Sequence, residues 1–429
     1  MPDSLHSFEI AAIVLGGALV LGAITSGLAG RSFLSLTALF VLVGFVLGPG
    51  AAGVLHFHAR STFVTDLATV ALIVILFRDG LEVEGEMLQT AWRLPLRNLV
   101  LAMPLTGALV AVAARWVIGL SWTESFLLGA LLSPTDPVLS SSVVTNPRVP
   151  RVLRHSLNLE SGLNDGLALP AVLALSAALV SGPSHFVWWR FVLENVFVGL
   201  AIGLVVGHLA GWLMPRESGL GEGIPDYQKS LYGLGAAFVA YGLTLVPPHG
   251  NGLIAVYVAA ITLGIRRPDV RAYFAQQAEG MVEIVKLGIF LVFGSLLTLP
   301  HLFADGWGAV AIVAVTLLVA RPVAVGAALA GCGLDLPARG FMAWFGPKGV
   351  ATMTFSLLVL SQPIASGRRI FDLAALVVFC SIILHGVTDT AGAEWIARRA
   401  EREVEPPPEL LAGASGRSPK YGSGPLKES

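Results

Sequence analysis

The sequence predicts an all-α polytopic membrane protein of about 13 transmembrane helices, built as two inverted six-helix repeats whose discontinuous helices 5 and 12 cross at mid-membrane. Three observations lead there. Of 429 residues, 55% are hydrophobic and only 13% charged, roughly half the charged fraction of an ordinary soluble domain. Apolar stretches of about 20 residues, enough to cross a hydrocarbon layer about 30 Å thick, recur from end to end between short polar or Pro/Gly-containing breaks. Two of the stretches are themselves broken, at Ser133-Pro134-Thr135-Asp136-Pro137 and at Phe345-Gly346-Pro347-Lys348-Gly349.

The spans centre near residues 18, 43, 70, 107, 134, 169, 201, 238, 258, 290, 318, 348 and 379, with ends uncertain by about three residues. The first, Phe8 to about Gly27, has no Lys or Arg before it and is read as a retained helix rather than a signal peptide. With the N-terminus outside, the cytoplasmic loops hold twelve Arg and Lys residues, from Arg31 to Arg339. The opposite loops hold five: Arg60, Arg115, Arg190, Arg368 and Arg369. The positive-inside bias therefore places the N-terminus outside and the C-terminus in the cytoplasm, with the Arg368–Arg369 pair dissenting.

Spans 1–6 and 8–13 form the two halves and span 7 connects them. Paired breaks in matching helices of two halves are the best sequence pointer to a mid-membrane binding site. Span 7 carries Gly199, Gly203, Gly207 and Gly211, a stripe that lets another helix approach closely. The transmembrane domain is expected over residues 1–395. A Pro-, Gly- and Ser-rich tail over 396–429 is too poor in large apolar residues to fold alone. Cys332 and Cys380 have no ligand-like spacing, so neither a zinc site nor a disulfide framework is expected.

A charged side chain at the bilayer centre costs about 3 kcal/mol or more, which makes intramembrane ionisable groups functional candidates. In span 6, Glu160 and Asn164 are four residues apart, as are Ser161 and Asp165, so adjoining helical rows bring four oxygen-bearing side chains to one side. In span 5, Pro134 and Pro137 remove two backbone donors and free carbonyls around Thr135 and Asp136. Carboxylates, hydroxyls and carbonyls without thiolate or imidazole suit a hard monovalent cation or a proton. The structural alternative is that Asp136, Glu160 and Asp165 only pair with bases, for which Arg321 in span 11 and Lys348 in span 12 are available. Three acids against two bases leave one carboxylate able to exchange its proton.

Asp79, beside Arg78 at the end of span 3, and His385, four residues before Asp389 in span 13, are further candidates. His385 and Asp389 have the spacing of a proton-sensing pair, although a hydrogen-bonded structural histidine is the more common outcome. Arg190/Glu194 and Glu283/Lys286 have helical pair spacing.

LLSPTDPV followed by LNLESGLNDG resembles the cation:proton antiporters of the NhaP and eukaryotic NHE type, over roughly residues 8 to 395. The resemblance implies a homodimer in the bacterial plasma membrane, each protomer moving a core bundle of spans 4–6 and 11–13 against a scaffold of spans 1–3 and 8–10. It also implies ion binding at Asp165 with Asn164, Glu160, Ser161, Thr135 and Asp136. The implied activity is electroneutral exchange of an alkali cation, Na⁺ ahead of K⁺ or Li⁺, for H⁺, serving pH homeostasis. No cofactor beyond the transported ions is expected, and no partner beyond membrane lipid and a second copy of the chain; nucleic acid is not among them. Two departures stand out: Lys348 where many relatives have arginine, and Arg78 preceding the acid of span 3. A cation channel or uniporter using the same oxygen-lined site is the alternative reading. An enzyme is not expected, since neither HExxH nor GxSxG occurs.

Overall fold

The computed structural model describes residues 36–83, 93–136, 146–182, 186–215, 225–277 and 279–404, together with positions 13, 16, 17, 19, 20 and 143. The protein is an all-helical membrane protein. Its described helices are α1 (Leu36–Leu47), α2 (Thr62–Glu82), α3 (Arg93–Val117), α4 (Trp122–Leu132), α5 (Arg151–Ser181), α6 (Trp188–Leu213), α7 (Asp226–Leu243) and α8 (Gly252–Arg266). They continue as α9 (Pro268–Gln277), α10 (Glu279–Ser295), the single turn α11 (Leu299–Leu302), α12 (Trp307–Ala328), α13 (Leu336–Trp344), α14 (Val350–Ser361) and α15 (Gly367–Val404). Predicted span 1 falls outside the described residues except for the helical positions 13, 16, 17, 19 and 20, and the second half of span 5 except for Val143.

Among the described residues, five helices are long and apolar enough to cross a membrane unaided: α3, α5, α6, α12 and α15. The expectation of about 20 apolar residues in every span does not hold for α4 and α14, of 11 and 12 residues. Each is half of a broken element: non-helical backbone follows α4 over residues 133–136 and precedes α14 over residues 345–349.

Local chemistry sets several boundaries. Ser121 and Glu124 form a capping box at the start of α4, and Asp335 accepts from Ala338 N at the start of α13. These contacts satisfy amides that lack a helical partner. In α12, Pro322 offers no N–H, and the turn before it widens to a π turn over Val315–Ala320 that ends at Arg321.

Close packing follows the glycines. The α6 stripe lies against α8: a Cβ at Gly199 would sit 2.9 Å from the Asn251 carbonyl, and one at Gly207 2.6 Å from that of Ala259. Gly107 of α3 faces Gly129 of α4 in the same way. Helices α3, α4 and α5 pack with one another and with α12, α14 and α15, while α2 bridges α8, α10, α14 and α5.

The final helix runs to Val404, past the boundary expected near residue 395. Buried Ile396 and Ala397 anchor the extension, and ion pairs Arg398–Glu394, Arg148–Glu401 and Arg399–Asp335 flank it. The expected Arg190/Glu194 and Glu283/Lys286 pairs form at 2.7 and 2.9 Å. The dissenting arginines are also matched, Arg368 by Asp372 at 2.8 Å and Arg369 by Asp305.

Candidate ion-exchange site

Helix α4 ends at Leu132 before Pro134, and the α13–α14 element is interrupted from Phe345 to Gly349. The two breaks cross. Asp136 N–H donates to the Pro347 carbonyl at 2.8 Å, and Thr352 Oγ1 donates to the Leu131 carbonyl at 2.9 Å. Each break also caps the other's helix. Lys348 Nζ donates to the Ser133 and Pro134 carbonyls at 3.2 and 3.0 Å, at the carbonyl end of α4. Asp136 Oδ2 accepts from Val350 N at 3.1 Å, at the amide end of α14. A cation on the negative pole of one half-helix and a carboxylate on the positive pole of the other is what the helix dipoles favour.

The carbonyls read from sequence as cation ligands are therefore in use. Those of Ser133 and Pro134 bind the fixed ammonium of Lys348, and that of Thr135 accepts from Asn164 Nδ2 at 2.8 Å. The amide of Asn164 also reaches Thr135 Oγ1, at 3.0 Å, and ties α5 to the crossing.

Beside the crossing lies an ion pair with both side chains almost fully buried. Arg321 Nη1 donates to Glu160 Oε1 at 2.8 Å, and Arg321 Nη2 to the Met342 carbonyl at 3.2 Å. Gly346 makes room for it, since a Cβ there would overlap the guanidinium. The other Glu160 oxygen accepts from Asn98 Nδ2 at 2.9 Å, and Thr135 Oγ1 contacts Oε1 at 3.4 Å. Arg321, offered from sequence as a partner for the acids, thus takes Glu160, whereas Lys348 takes carbonyls.

Asp165 is 9% exposed, five residues along α5 from Glu160. Its Oδ1 is buried with no hydrogen-bond partner among the described residues, and the Asp79 carboxyl on α2 is the charge that acts on it most strongly. Asp79 is held by Arg78, whose Nε and Nη2 both donate to Oδ1, at 2.9 and 2.6 Å. Tyr257 of α8 closes this side: its hydroxyl donates to the Gly162 carbonyl at 2.8 Å, and its ring fills the space beside Gly166. Pro170 has no N–H to offer the Gly166 carbonyl. Ser161 is half-buried and makes no hydrogen bond to the described residues.

The structure thus gathers Asp165, Glu160, Asn164, Thr135, Asp136, Arg321, Lys348 and Asp79 around the crossing. His385 stands apart. Its ring nitrogens lie 2.9 Å from the Ser381 carbonyl and 3.0 Å from that of Trp344, so both are engaged by groups other than Asp389. Since Ser381 Oγ accepts from Lys348 N–H at 2.8 Å and lies 3.1 Å from His385 Nδ1, His385 props the α13–α14 break. Asn98 and Tyr257 are the site residues that sequence reading missed. Asn98 had a signal, a lone amide in predicted span 4. Tyr257 had none, because an aromatic residue in an apolar span reads as packing.

The family model for the transmembrane sodium/hydrogen exchanger matches residues 16–393. The K(+)/H(+) antiporter NhaP2 of Shewanella sp. (strain ANA-3) is 26% identical over 408 residues, 95% of this chain and 69% of that protein. The K(+)/H(+) antiporter NhaP of Alkalimonas amylolytica is 23% identical over 407 residues, 94% of this chain and 69% of that protein. Among solved structures, the sodium proton antiporter MjNhaP1 of Methanocaldococcus jannaschii superposes with a TM-score of 0.76 at 18% identity, over 91% of this chain and 99% of that one, a likeness of fold. The chain belongs to the sodium/hydrogen exchanger family: it is a transmembrane monovalent cation/proton antiporter, not an enzyme.

Proposed function

We propose that the chain exchanges one alkali cation for one proton by alternating access, with proton and cation competing for Asp165. One observation carries this reading. Of the carboxylates at the crossing, Glu160 is held by Arg321, Asp79 by Arg78 and Asp136 by the amide end of α14. Asp165 alone among them keeps a buried oxygen with no hydrogen-bond partner among the described residues. An ionised carboxylate so placed is costly until a proton or a cation neutralises it.

Exchange follows from that cost. With Asp165 neutralised by either ion, the core bundle of spans 4–6 and 11–13 moves against spans 1–3 and 8–10; with Asp165 bare, the crossing is disfavoured. Each cation carried one way therefore requires a proton carried the other. Glu160, Ser161 and Thr135, with the Gly166 carbonyl, are the oxygens we assign to complete a cation shell. Asn164 contributes hydrogen bonds and no titrating charge, which supports one-for-one, electroneutral exchange. The names of the two bacterial relatives carry K⁺ and that of the structural relative carries sodium; we assign K⁺ or Na⁺, with K⁺ first. Thirteen spans in two inverted repeats, a homodimer, a bacterial plasma-membrane location with the C-terminus in the cytoplasm, and a role in pH homeostasis complete the proposal. The basic-residue asymmetry supports the orientation.

The test is dissipation of an imposed pH gradient in proteoliposomes by K⁺, Na⁺ and Li⁺ in turn, wild type beside Asp165→Asn. Loss of exchange with every cation in the variant is expected; undiminished exchange would refute the assignment.

A further inference from the structure

We infer that Arg78 is a tethered cation that occupies Asp79, keeps the exchange site to one available carboxylate, and thereby sets cation affinity and favours K⁺ over Na⁺ and Li⁺. The inference rests on the reading of Asp165 as the exchanging group.

Arg78 holds its buried neighbour more closely than its easier, exposed partner. Residues at i and i+1 on a helix do not face each other, whereas i and i+4 do. Arg78 has an acid at i+4, Glu82, whose side chain is 55% exposed, and with it forms only the longer ion pair, at 3.9 Å. The guanidinium curls back onto its neighbour Asp79, whose side chain is 6% exposed, at 2.6 and 2.9 Å. Asp79 is the acid that borders the site: a Cβ at Gly162, on the same helix as Asp165, would sit 3.7 Å from its carbonyl, and the two carboxyls act on each other electrostatically. Among the described residues, the other charged or ionisable groups that act on Asp79 include Asp136 at the crossing, Tyr257 on α8 and Lys286 on α10, the last paired with Glu283 at 2.9 Å.

A guanidinium cannot be deprotonated in a protein, so Asp79 stays neutralised whichever ion Asp165 holds. Were Arg78 absent, two adjacent carboxylates would face the cation. A stronger oxygen field repays the greater cost of stripping water from a smaller ion. One free carboxylate is the weaker field, which suits the larger, more easily dehydrated K⁺.

The experiment measures the apparent KM for K⁺, Na⁺ and Li⁺, each separately, with the full chain in proteoliposomes at fixed pH. Arg78→Gln is expected to lower the KM for Na⁺ and Li⁺ roughly tenfold and to lower that for K⁺ less, while Arg78→Lys stays near wild type. Asp79→Asn, which strands the guanidinium beside the site, is expected to raise all three. The charge-balanced double variant Arg78→Gln/Asp79→Asn is expected to return towards wild type; it leaves no unpaired charge and so tests the inference even if Arg78→Gln alone fails to fold. Arg78→Gln with wild-type KM values and selectivity, or a double variant as weak as Asp79→Asn, would overturn the inference. Asp165→Asn, run alongside, reports on the exchange site independently: its full activity would refute the underlying assignment rather than the role of Arg78.

Discussion

Arg321 reaches across 161 residues of sequence to place Nη1 2.8 Å from Glu160 Oε1, with both side chains almost fully buried. Removing one partner of such a pair leaves an uncompensated buried charge and costs about 3–5 kcal/mol. Glu160→Gln should therefore lower the thermal stability of the detergent-solubilised protein by that order. Combining it with Arg321→Gln should recover part of the loss, because the stranded guanidinium is then gone. Thermal unfolding of the two single variants and the double variant checks this; additive losses would contradict it.

Gly346 is the floor beneath Arg321. Gly346→Ala puts a methyl group where the guanidinium lies, so it should break the Glu160 contact and sharply reduce exchange while the protein still inserts in the membrane. Gly326, on α12 five residues beyond Arg321, has nothing within 4 Å of an added Cβ. Gly326→Ala should leave transport intact and add roughly 0.5–1 kcal/mol of stability, the ordinary gain for a helical glycine. Transport and unfolding measured on this pair separate crowding at the site from the general effect of Gly→Ala.

Lys348 and Asp136 serve opposite ends of the crossing. Lys348→Met would leave the Ser133 and Pro134 carbonyls without their buried donor, at about 1–3 kcal/mol for each unsatisfied group. Asp136→Ala would uncap the amide end of α14, at about 1 kcal/mol. The expected ranking is that Lys348→Met destabilises more than Asp136→Ala; chemical or thermal unfolding of the two variants reads it directly.

What the chain discloses in one dimension is what a bilayer excludes. Prolines and carboxylates in apolar sequence marked the break around Pro134 and the run from Glu160 to Asp165 without any knowledge of contacts. The interruption at Gly346 and Pro347 marked its partner, and Arg321 and Lys348 stood out as the bases near enough in depth to matter. Assignment of partners was not legible, because it depends on how the two breaks cross: Lys348 meets carbonyls 214 and 215 residues away, and nothing in local spacing selects them over Glu160. Arg78 defied reading for a related reason, since spacing favours Glu82 and burial favours Asp79. His385 followed the commoner pattern of a hydrogen-bonded histidine because the Ser381 and Trp344 carbonyls engage its two ring nitrogens.

Tyr257 joins α8 to the exchange site through one hydrogen bond, to the Gly162 carbonyl at 2.8 Å. Tyr257→Phe keeps the ring over Gly166 and removes the bond, so a loss of about 1 kcal/mol is expected with exchange retained. Gly166→Ala drives a methyl into the same ring and should impair exchange far more. Transport assays with the two variants in parallel test whether the ring or the hydroxyl matters to the site.

Competition between a proton and a cation at Asp165 is tested most directly by proton release on cation binding to the purified, detergent-solubilised protein in weakly buffered solution. The account predicts that adding K⁺ or Na⁺ to the wild type at a pH where Asp165 is protonated releases about one proton per chain. It predicts that Asp165→Asn releases none. Equal proton release from the variant, or cation binding to the wild type with no proton released, would contradict it.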